Sequence, residues 1–295
     1  MKKIKLIVGG GLGNQLFQFA AYIYLVKTYP DVSIELDFFQ YKYDAYHNGI
    51  EIQKLFFCKY INEIKKIESF RRKKFRKKYF PFLWYTILHK LAGYKTFYET
   101  DINTPEKIHI VIQNNNKILM AGFYQNPLFV NCIYKTLREL IKHYETLGAQ
   151  NDKLISFLKG KTSVSVHVRR GDYLSIAEYN AFDSSKYYMD AVSYIRSICD
   201  NPIFIVFSND LDWVKSNLAL GGDTIYVDWN KGEESYKDMI LMSACNHNII
   251  ANSSFSWWAA WLNAHTDKIV VAPKQWFKGK ASKVVVPEDW VLIDC

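Results

Sequence analysis

One segment of the sequence combines residue types that suit the binding of a pyrophosphate: His167-Val168-Arg169-Arg170-Gly171-Asp172-Tyr173. It begins inside an apolar run over 163–168, so its two arginines stand where a predicted strand ends. Each guanidinium group presents a rigid fork that matches two phosphate oxygens, and it keeps its charge when water is excluded. The glycine allows the backbone a close turn. An arginine paired with the aspartate at a sheet end is the alternative interpretation.

A second segment, Ala251-Asn252-Ser253-Ser254-Phe255-Ser256-Trp257-Trp258, runs from a predicted strand directly into a predicted helix. Asn and Ser occupy the positions that cap a helix. A helix N-terminus presents unpaired N–H groups and a partial positive charge, so an anion is stabilised there. Simple helix capping explains the same residues and is compatible with phosphate binding.

A third segment, Val8-Gly9-Gly10-Gly11-Leu12-Gly13-Asn14-Gln15-Leu16, joins a predicted strand to a predicted helix through glycines. It does not match the dinucleotide-binding fingerprint, because the third glycine would have to fall on Asn14 or on Leu16. We therefore expect neither nicotinamide nor flavin here. The glycines instead predict a backbone that comes close to a substrate, with the Asn14 amide available to it.

The second half of the chain alternates short apolar runs with helical stretches. The pattern predicts strands over 163–168, 203–208, 224–227, 249–251 and 269–272, and helices over 185–199, 211–219, 233–246 and 254–264. Strands separated by helices of this length form a parallel sheet covered on both faces. Ligands bind at the carboxyl ends of such strands, where residues 167–173, 208–210 and 252–254 fall. We expect these three segments to share one nucleotide pocket.

The first half opens with a strand over 4–8, a helix over 14–28 and a strand over 33–37, which together form a βαβ unit. A further strand is predicted over 117–121, and the rest is helical or irregular and rich in aromatic residues. The chain is therefore predicted to be an α/β protein with two Rossmann-like lobes, residues 1–159 and 160–295, and a cleft between them.

Composition limits the class of protein. The 295 residues carry a net charge of +9 and are 49% hydrophobic, which allows sizeable cores and favours an anionic partner. No stretch reaches the roughly 20 apolar residues of a membrane-spanning helix, and residues 4–8 fit a first strand better than a signal peptide. Five cysteines without close pairs fit neither a disulfide framework nor a zinc site. We expect a cytoplasmic protein that is soluble or peripheral on the inner face of the membrane.

Much of the positive charge lies in one basic run, Arg71-Arg72-Lys73-Lys74-Phe75-Arg76-Lys77-Lys78, which leads into Tyr79, Phe80, Phe82, Trp84 and Tyr85. Each basic side chain near anionic lipid contributes about 1 kcal/mol, and aromatic residues suit the headgroup boundary. The pattern favours a membrane-surface contact. A solvated helix face followed by core aromatics is the alternative.

Four segments in the same order resemble the galactoside α-1,2-fucosyltransferases of glycosyltransferase family 11, in their bacterial form. They are Gly10-Gly11-Leu12-Gly13-Asn14-Gln15-Leu16-Phe17-Gln18, the segment 167–173, Phe207-Ser208-Asn209-Asp210 and the segment 252–258, and they span almost the whole chain. The resemblance departs at Asn209, where the family often has aspartate. Which side chain there meets the nucleoside therefore stays open.

The resemblance implies a GT-B fold, with the acceptor on the N-terminal lobe and the donor in the C-terminal lobe. It also implies an inverting transfer of L-fucose from GDP-fucose to the 2-hydroxyl of a terminal galactose in a bacterial surface glycan or oligosaccharide. No cofactor and no metal ion are expected.

Related fucosyltransferases imply roles for single residues of this sequence. Arg169 or Arg170 would contact the β-phosphate, His167 would lie along the nucleotide, and Asp210 would read the ribose or the guanine. Asn14 would lie near the reacting centre. The remaining donor contacts would come from Gly11, Gly13, Asn252, Ser253, Ser254 and Phe255.

Donors aimed at the leaving β-phosphate would stabilise the transition state more than the ground state. The general base is open between Asp172, Glu178, His167 and a loose transition state that needs little base, and Asp172 could instead hold Arg170 by an ion pair. Acceptor choice is expected in the first half. The side chains that could bind a sugar there, or simply pack in the core, are Tyr41, Tyr43, His47, Asn48, Phe123, Tyr124 and Gln125.

Three other functions compete with this one. A GT-B transferase for a different nucleotide sugar would need the same arginines and helix cap, because these recognise the pyrophosphate rather than the sugar. A nucleic-acid-binding protein would explain the basic run but would leave the three strand-end segments without a role. A sensor would bind GDP-fucose without turnover.

Overall fold

The computed structural model describes residues 2–42, 48–57, 82–170, 184–277, 280–281 and 285–294. The chain forms two compact units, Met1–His143 and Tyr144–Cys295. The sequence places the boundary between residues 159 and 160, whereas the helix Ala149–Leu158 belongs to the second unit. The side chain of Asn151 on this helix explains the difference, because it is buried and accepts hydrogen bonds from the side chains of Trp229 and Asn230.

The first unit contains four parallel strands among its described residues. Its elements are β1 (Lys3–Ile7), α1 (Leu12–Thr28), β2 (Ser33–Asp37), α2 (Ile52–Leu55), α3 (Phe82–Leu91), β3 (Lys95–Tyr98), α4 (Pro105–Asn114), β4 (Lys117–Ala121), α5 (Pro127–Cys132) and α6 (Tyr134–Leu140). The strand order is β2-β1-β4-β3, and each neighbouring pair is parallel. Short 3₁₀ helices follow at Phe39–Lys42 and Glu99–Asp101.

Helix α1 is the central helix of the first unit. Its sequence, LGNQLFQFAAYIYLVKT, is apolar on nearly every side, as expected of a helix that is covered all round. It contacts β1, β2, α2 and α5. Side chains cap two of the later helices: Thr104 accepts from the N–H of Lys107 at the start of α4, and Asn126 accepts from the N–H of Leu128 at the start of α5.

The second unit contains a six-stranded parallel sheet among its described residues. Its elements are α7 (Ala149–Leu158), β5 (Ser163–Val168), α8 (Ser184–Ile198), β6 (Ile203–Ser208), α9 (Leu211–Asn217), β7 (Thr224–Val227), α10 (Tyr236–Ala244), β8 (His247–Ile249), α11 (Ser254–Leu262), β9 (Val270–Pro273), β10 (Gln275–Phe277), β11 (Lys280–Ala281) and β12 (Val291–Ile293). The strand order is β12-β9-β8-β5-β6-β7. Strands β10 and β11 form a separate antiparallel pair.

Strand β5 lies at the centre of this sheet, and all six of its residues are buried. It pairs with β8 on one side and β6 on the other, in a register that sets Val168 beside Ser208. Its apolar side chains pack with α8, whose Tyr187, Tyr188 and Val192 belong to the same core. The predicted parallel sheet is confirmed, and β2, β4, β5, β6 and β7 have the predicted bounds.

None of the helices in the described part of the chain combines the length and the apolar composition that crossing a membrane requires.

Candidate active site

The carboxyl ends of β5 and β6 bring two of the predicted segments together. Arg169 and Arg170 follow β5, and Asn209 and Asp210 follow β6, which is paired with β5 in parallel. The backbone N–H of Arg170 donates to Oδ1 of Asn209 over 3.0 Å. The two arginines therefore stand at the edge of the sheet where α/β proteins bind their ligands.

Two neighbours orient the guanidinium group of Arg170. Its Nε lies 3.4 Å from Oδ2 of Asp210, and its central carbon lies 3.7 Å from the centre of the Trp213 ring. The other carboxylate oxygen of Asp210 accepts from the N–H of Trp213 over 3.2 Å and so caps α9. A carboxylate and an aromatic face together hold the arginine by charge and by cation–π attraction.

Asp210 thus has a structural partner that the sequence does not predict. The sequence offers Asp172 as the ion-pair partner of Arg170 and gives Asp210 a nucleoside-reading role, which stays a prediction. Asp172 lies outside the described residues. Asp210 also belongs to an Asp-x-Asp triplet, Asp210-Leu211-Asp212, whose second carboxylate is on an exposed residue in the first turn of α9.

His167, the next-to-last residue of β5, is buried. Burial, and secondarily the charge of Arg169, lowers the pKa of its imidazole to about 3, so the ring is neutral near pH 7. Its ring centre lies 5.7 Å from that of Phe255, and its backbone carbonyl accepts from the Tyr188 hydroxyl over 2.8 Å. A group with so low a pKa is a weak proton acceptor, which disfavours His167 as the general base.

The contact between His167 and Phe255 brings the start of α11 to the same edge of the sheet. Ser253 caps this helix by accepting from the N–H of Phe255 over 3.4 Å, and Ser254 opens its first turn. The buried Asn252 side chain donates to the carbonyl of Trp276 over 3.1 Å. The three strand-end segments predicted to share a pocket therefore lie together, with Asn252 and Ser253 engaged in the backbone around the helix start.

The glycine segment of the first unit forms a turn at the carboxyl end of β1. Gly10 has a φ of +78°, a conformation that favours glycine, and a Cβ there would lie 2.9 Å from Nδ2 of Asn14. The Gly10 carbonyl accepts from the Tyr41 hydroxyl over 2.6 Å and from Nε2 of Gln15 over 3.1 Å. Gly11 caps α1 and is partly exposed, whereas Gly13 is buried inside the helix.

The loop after β4 meets this turn. Oδ1 of Asn14 accepts from Nε2 of Gln125 over 2.8 Å, and the ring of Phe123 comes within 3.2 Å of the place a Gly10 Cβ would occupy. Asn14, Phe123 and Gln125 therefore form one surface, although Asn14 and Gln125 are 111 residues apart in sequence. Phe123 exposes 38% of its surface, which leaves an aromatic face available to a ligand.

The side chain of Glu99 holds the backbone of that loop. Its two carboxylate oxygens accept from the N–H groups of Phe123 and Gln125 over 2.8 and 3.0 Å. Between them lies Tyr124, a buried residue with a φ of +54°, which is an uncommon and costly conformation for a residue other than glycine. Burial, and then the charges of Glu99 and Asp101, raises the pKa of the Tyr124 hydroxyl well above its ordinary value.

The sequence matches the model of one protein family over almost its whole length. The model of glycosyl transferase family 11 matches residues 3–294. The chain belongs to glycosyl transferase family 11. The predicted membership is thereby confirmed, and the protein is a glycosyltransferase.

Two relatives of this family 11 transferase are named as α-1,2-glycosyltransferases. An alpha-1,2-colitosyltransferase of Escherichia coli is 31% identical over 300 residues, which cover 97% of each chain. A galactoside alpha-(1,2)-fucosyltransferase 1 of Ateles belzebuth is 32% identical over 191 residues, which cover 59% of this chain and 52% of that protein.

A solved structure supports the predicted fold class. The NodZ alpha-1,6-fucosyltransferase soaked with GDP-fucose superposes with a TM-score of 0.54 and 14% identity, covering 88% of this chain and 91% of NodZ. Together with the parallel sheets of both units, this confirms an α/β fold of the GT-B type.

Several side chains of the family 11 transferase that shape these edges were not predicted from its sequence. Besides Trp213, Tyr188 and Glu99, they include Gln18, which is buried, accepts from the N–H of Gly9 over 3.1 Å and donates to the carbonyl of Gly122 over 2.8 Å. Buried glutamines in a largely apolar helix, Gln15 and Gln18, are the local signal, because a buried amide needs partners.

Some predicted site residues of the transferase lie outside the described residues. They are Gly171, Asp172, Tyr173, Glu178, Tyr43, His47 and the basic run over 71–78. Among the acceptor candidates, Tyr41 and Tyr124 are buried, Asn48 is exposed, and Phe123 and Gln125 lie beside Asn14.

Proposed function

We propose that this protein transfers L-fucose from GDP-fucose to the 2-hydroxyl of a terminal galactose, with inversion and without a metal ion. The observation that carries the proposal is the cationic edge of the second unit. There Arg169 and Arg170 follow β5, and the start of α11 stands against His167. Guanidinium groups and helix N–H groups bind the oxygens of a diphosphate.

Similar proteins support L-fucose as the transferred sugar. The NodZ structure was obtained by soaking with GDP-fucose, and the Ateles relative is named for fucosyl transfer to galactosides. The Escherichia coli relative is named for colitose, which is L-fucose without its 3-hydroxyl. A transfer from GDP-colitose is therefore a second candidate, because residues that bind the diphosphate do not distinguish the two sugars.

The mechanism is a single displacement. The acceptor hydroxyl oxygen forms a bond to the anomeric carbon, the bond from that carbon to the phosphate oxygen breaks, and GDP leaves with the electron pair. Negative charge grows on the β-phosphate, and Arg169 and Arg170 would stabilise it more in the transition state than in the ground state. The half-buried Arg170 is already oriented by Asp210 and Trp213, so little reorganisation is needed.

The acceptor hydroxyl must also lose its proton, either to a base or, in a loose transition state, with little help from one. We retain Asp172 as the first candidate and Glu178 as the second. His167 is the weakest of the three, because burial lowers its pKa to about 3. Its neutral ring instead supports the nucleotide edge through its contact with Phe255.

The first unit offers two amide groups and an aromatic ring, which suit an uncharged sugar. The amides of Asn14 and Gln125 can donate to and accept from hydroxyl groups, and the exposed ring of Phe123 can cover an apolar sugar face. We assign these three residues to the acceptor side and Asn14 to the neighbourhood of the reacting carbon.

The test is the release of GDP from GDP-fucose, GDP-colitose and GDP-mannose, each with and without lactose and with and without EDTA. We expect acceptor-dependent release from GDP-fucose that EDTA leaves unchanged. The variant Asp212→Asn serves as the control for the Asp-x-Asp triplet and should keep its activity. A preference for GDP-colitose would establish the second candidate, loss of activity in EDTA would refute metal independence, and no acceptor-dependent release with any of the three donors would refute the transfer.

A further inference from the structure

A side-chain amide that the proposed function does not use lies against the glycine turn after β1. Oε1 of Gln40 occupies the space that a Cβ of Gly9 would need, so the amide rests directly on the Gly9 backbone. Glycine at this position leaves room for such a close approach. The Gln40 residue is half-buried, and its side chain takes part in none of the hydrogen bonds of the described residues. The amide is therefore available to a ligand.

The backbone that carries Gln40 is held on both sides. Gln40 belongs to the 3₁₀ helix that follows β2. Before it, the N–H of Phe39 donates to Oδ1 of Asp37 over 2.9 Å. After it, the buried Tyr41 donates its hydroxyl to the Gly10 carbonyl over 2.6 Å. A fixed piece of backbone therefore presents the amide, which reduces the entropy that is lost when a ligand binds.

With Asn14 and Gln125, this residue forms a row of amides along the carboxyl edge of the first sheet. Strand β1 is flanked by β2 on one side and by β4 on the other. Gln40 follows β2, Asn14 follows the turn after β1, and Gln125 follows β4. Neighbouring strands lie about 4.8 Å apart, so β2 and β4 are about 10 Å apart. A single pyranose ring is shorter than this distance, so the edge is wide enough for two linked sugars.

We propose that Gln40 binds the second sugar of the acceptor, the one to which the terminal galactose is linked. The inference rests on the proposed function, which assigns the galactose to Asn14, Gln125 and Phe123. The second sugar then extends over the turn toward β2, because at the end of β3 both oxygens of Glu99 already accept from backbone N–H groups. An amide can donate to one hydroxyl and accept from another, which suits an uncharged hexose. The preferred acceptor is therefore a disaccharide or a longer glycan.

The test compares lactose with methyl β-galactoside, which lacks the second sugar. The measurement is kcat/KM for each acceptor, from GDP release with the preferred donor at saturation. We expect Gln40→Ala to lower kcat/KM for lactose about threefold to tenfold, as for one lost hydrogen bond between uncharged groups, and to leave that for methyl β-galactoside unchanged. The matched control is Gln113→Ala, which removes an exposed amide near the end of α4, before β4 begins. It should keep both wild-type values.

A second variant reaches the same amide without changing it. The φ of Gly9 lies outside the left-handed region, and the three atoms nearest to an added Cβ all belong to the flexible end of Gln40. An alanine therefore fits the backbone and displaces the amide. Gly9→Ala should reproduce the loss that is specific to lactose. The double variant Gly9→Ala/Gln40→Ala should lose no more than either single variant, because both changes remove the same contact.

Three results would overturn the inference. Equal losses with lactose and methyl β-galactoside in Gln40→Ala would place the amide on the galactose itself, and unchanged values with both would mean that Gln40 only covers the turn. A loss specific to lactose in Tyr98→Ser instead would place the second sugar at the end of β3, where Tyr98 is 50% exposed. If the wild type transfers to neither acceptor, the proposed function fails as well, so the two failures are distinguishable.

Discussion

The two sheet edges of this protein share an architecture and differ in charge. In both units a parallel strand ends in a turn beside other strand ends, and the candidate residues stand at that edge. The edge of the second unit carries Arg169 and Arg170 with the start of α11. The edge of the first unit carries the neutral amides of Asn14 and Gln125 beside a glycine turn.

In the proposed function, the two edges bind two different kinds of ligand. Guanidinium groups attract a charged diphosphate, whereas amides and backbone groups match hydroxyls without a charge to neutralise. In the second unit, an ion pair and a cation–π contact orient Arg170. In the first unit, the Glu99 carboxylate accepts from the N–H of Phe123, and the Gln18 amide donates to the carbonyl of Gly122. Substitutions at the two edges should therefore alter different kinetic constants.

The largest effect is expected for Arg170→Ala. Removing a donor aimed at a developing charge typically lowers kcat about 100-fold or more. Arg170→Lys should recover only part of the loss, because an ammonium group lacks the planar fork and cannot stack on Trp213 in the same way. The measurement is the rate of GDP release at saturating acceptor.

The matched control is Arg196→Ala. Arg196 lies on α8 and donates to the carbonyl of Leu220, shortly before the start of β7. It therefore lies at the amino-terminal ends of the strands, whereas Arg170 follows the carboxyl end of β5. It should keep nearly the wild-type kcat. Equal losses in the two variants would mean that the cationic edge has no special part in the transfer.

His167 should make the second unit sensitive to acid. The unfolded chain binds the imidazole proton near pH 6.5, whereas the native state binds it only near pH 3. Between these values the unfolded state holds more protons, so stability falls as the pH falls, by up to about 1.4 kcal/mol per pH unit. From pH 6.5 to pH 5 the expected loss is about 2 kcal/mol. The variant His167→Leu should lack this contribution.

Urea unfolding of the wild type and the variant over that pH range measures the effect. The quantity to compare is the difference in the free energy of unfolding between the wild type and the variant. Burial raises the pKa of Asp238 to about 7, so this carboxyl changes the stability of both proteins with pH in the direction opposite to His167. The control His109→Gln removes a histidine on an exposed turn of α4. If His167→Leu keeps the full pH dependence, the imidazole is not held neutral in the native state.

The second half of the chain was predictable because its strands are buried on both faces. Such strands are continuous apolar runs, as over 163–168 and 203–208, and parallel strands place their carboxyl ends on one edge. Strand β3 was not predicted, since it is an outermost strand of its sheet and its sequence KTFY is only partly buried. Strand β12 has three residues at the other sheet's edge, too few for a pattern.

The contacts that orient the site residues were less predictable than the residues themselves. Arg170 is recognisable from its neighbours in sequence, but its stacking on Trp213 arises from the pairing of β5 with β6. Glu99 reaches Phe123 and Gln125 across 24 and 26 residues. No local pattern encodes a carboxylate that accepts from a distant backbone, so such positioning residues appear only in the folded structure.

The smallest of the three effects is expected for Glu99→Gln, which changes the edge of the first unit without altering the side-chain amides of Asn14 and Gln125. An amide has one oxygen where the carboxylate has two, so one of the N–H groups of Phe123 and Gln125 loses its acceptor. The strained Tyr124 between them would then be held less firmly. We expect the KM for the acceptor to rise about tenfold, since losing such a bond costs on the order of 1–3 kcal/mol, while the KM for the donor stays unchanged.

The control is Glu106→Gln, which makes the same change on the exposed first turn of α4 and should leave both constants unchanged. Steady-state kinetics with each substrate varied separately distinguishes positioning from general destabilisation, because destabilisation lowers the amount of active enzyme and leaves both KM values as they were. A rise in the KM for the donor would instead indicate that the edge of the first unit takes part in donor binding. In that case the difference in charge between the two edges would not correspond to a division between acceptor and donor.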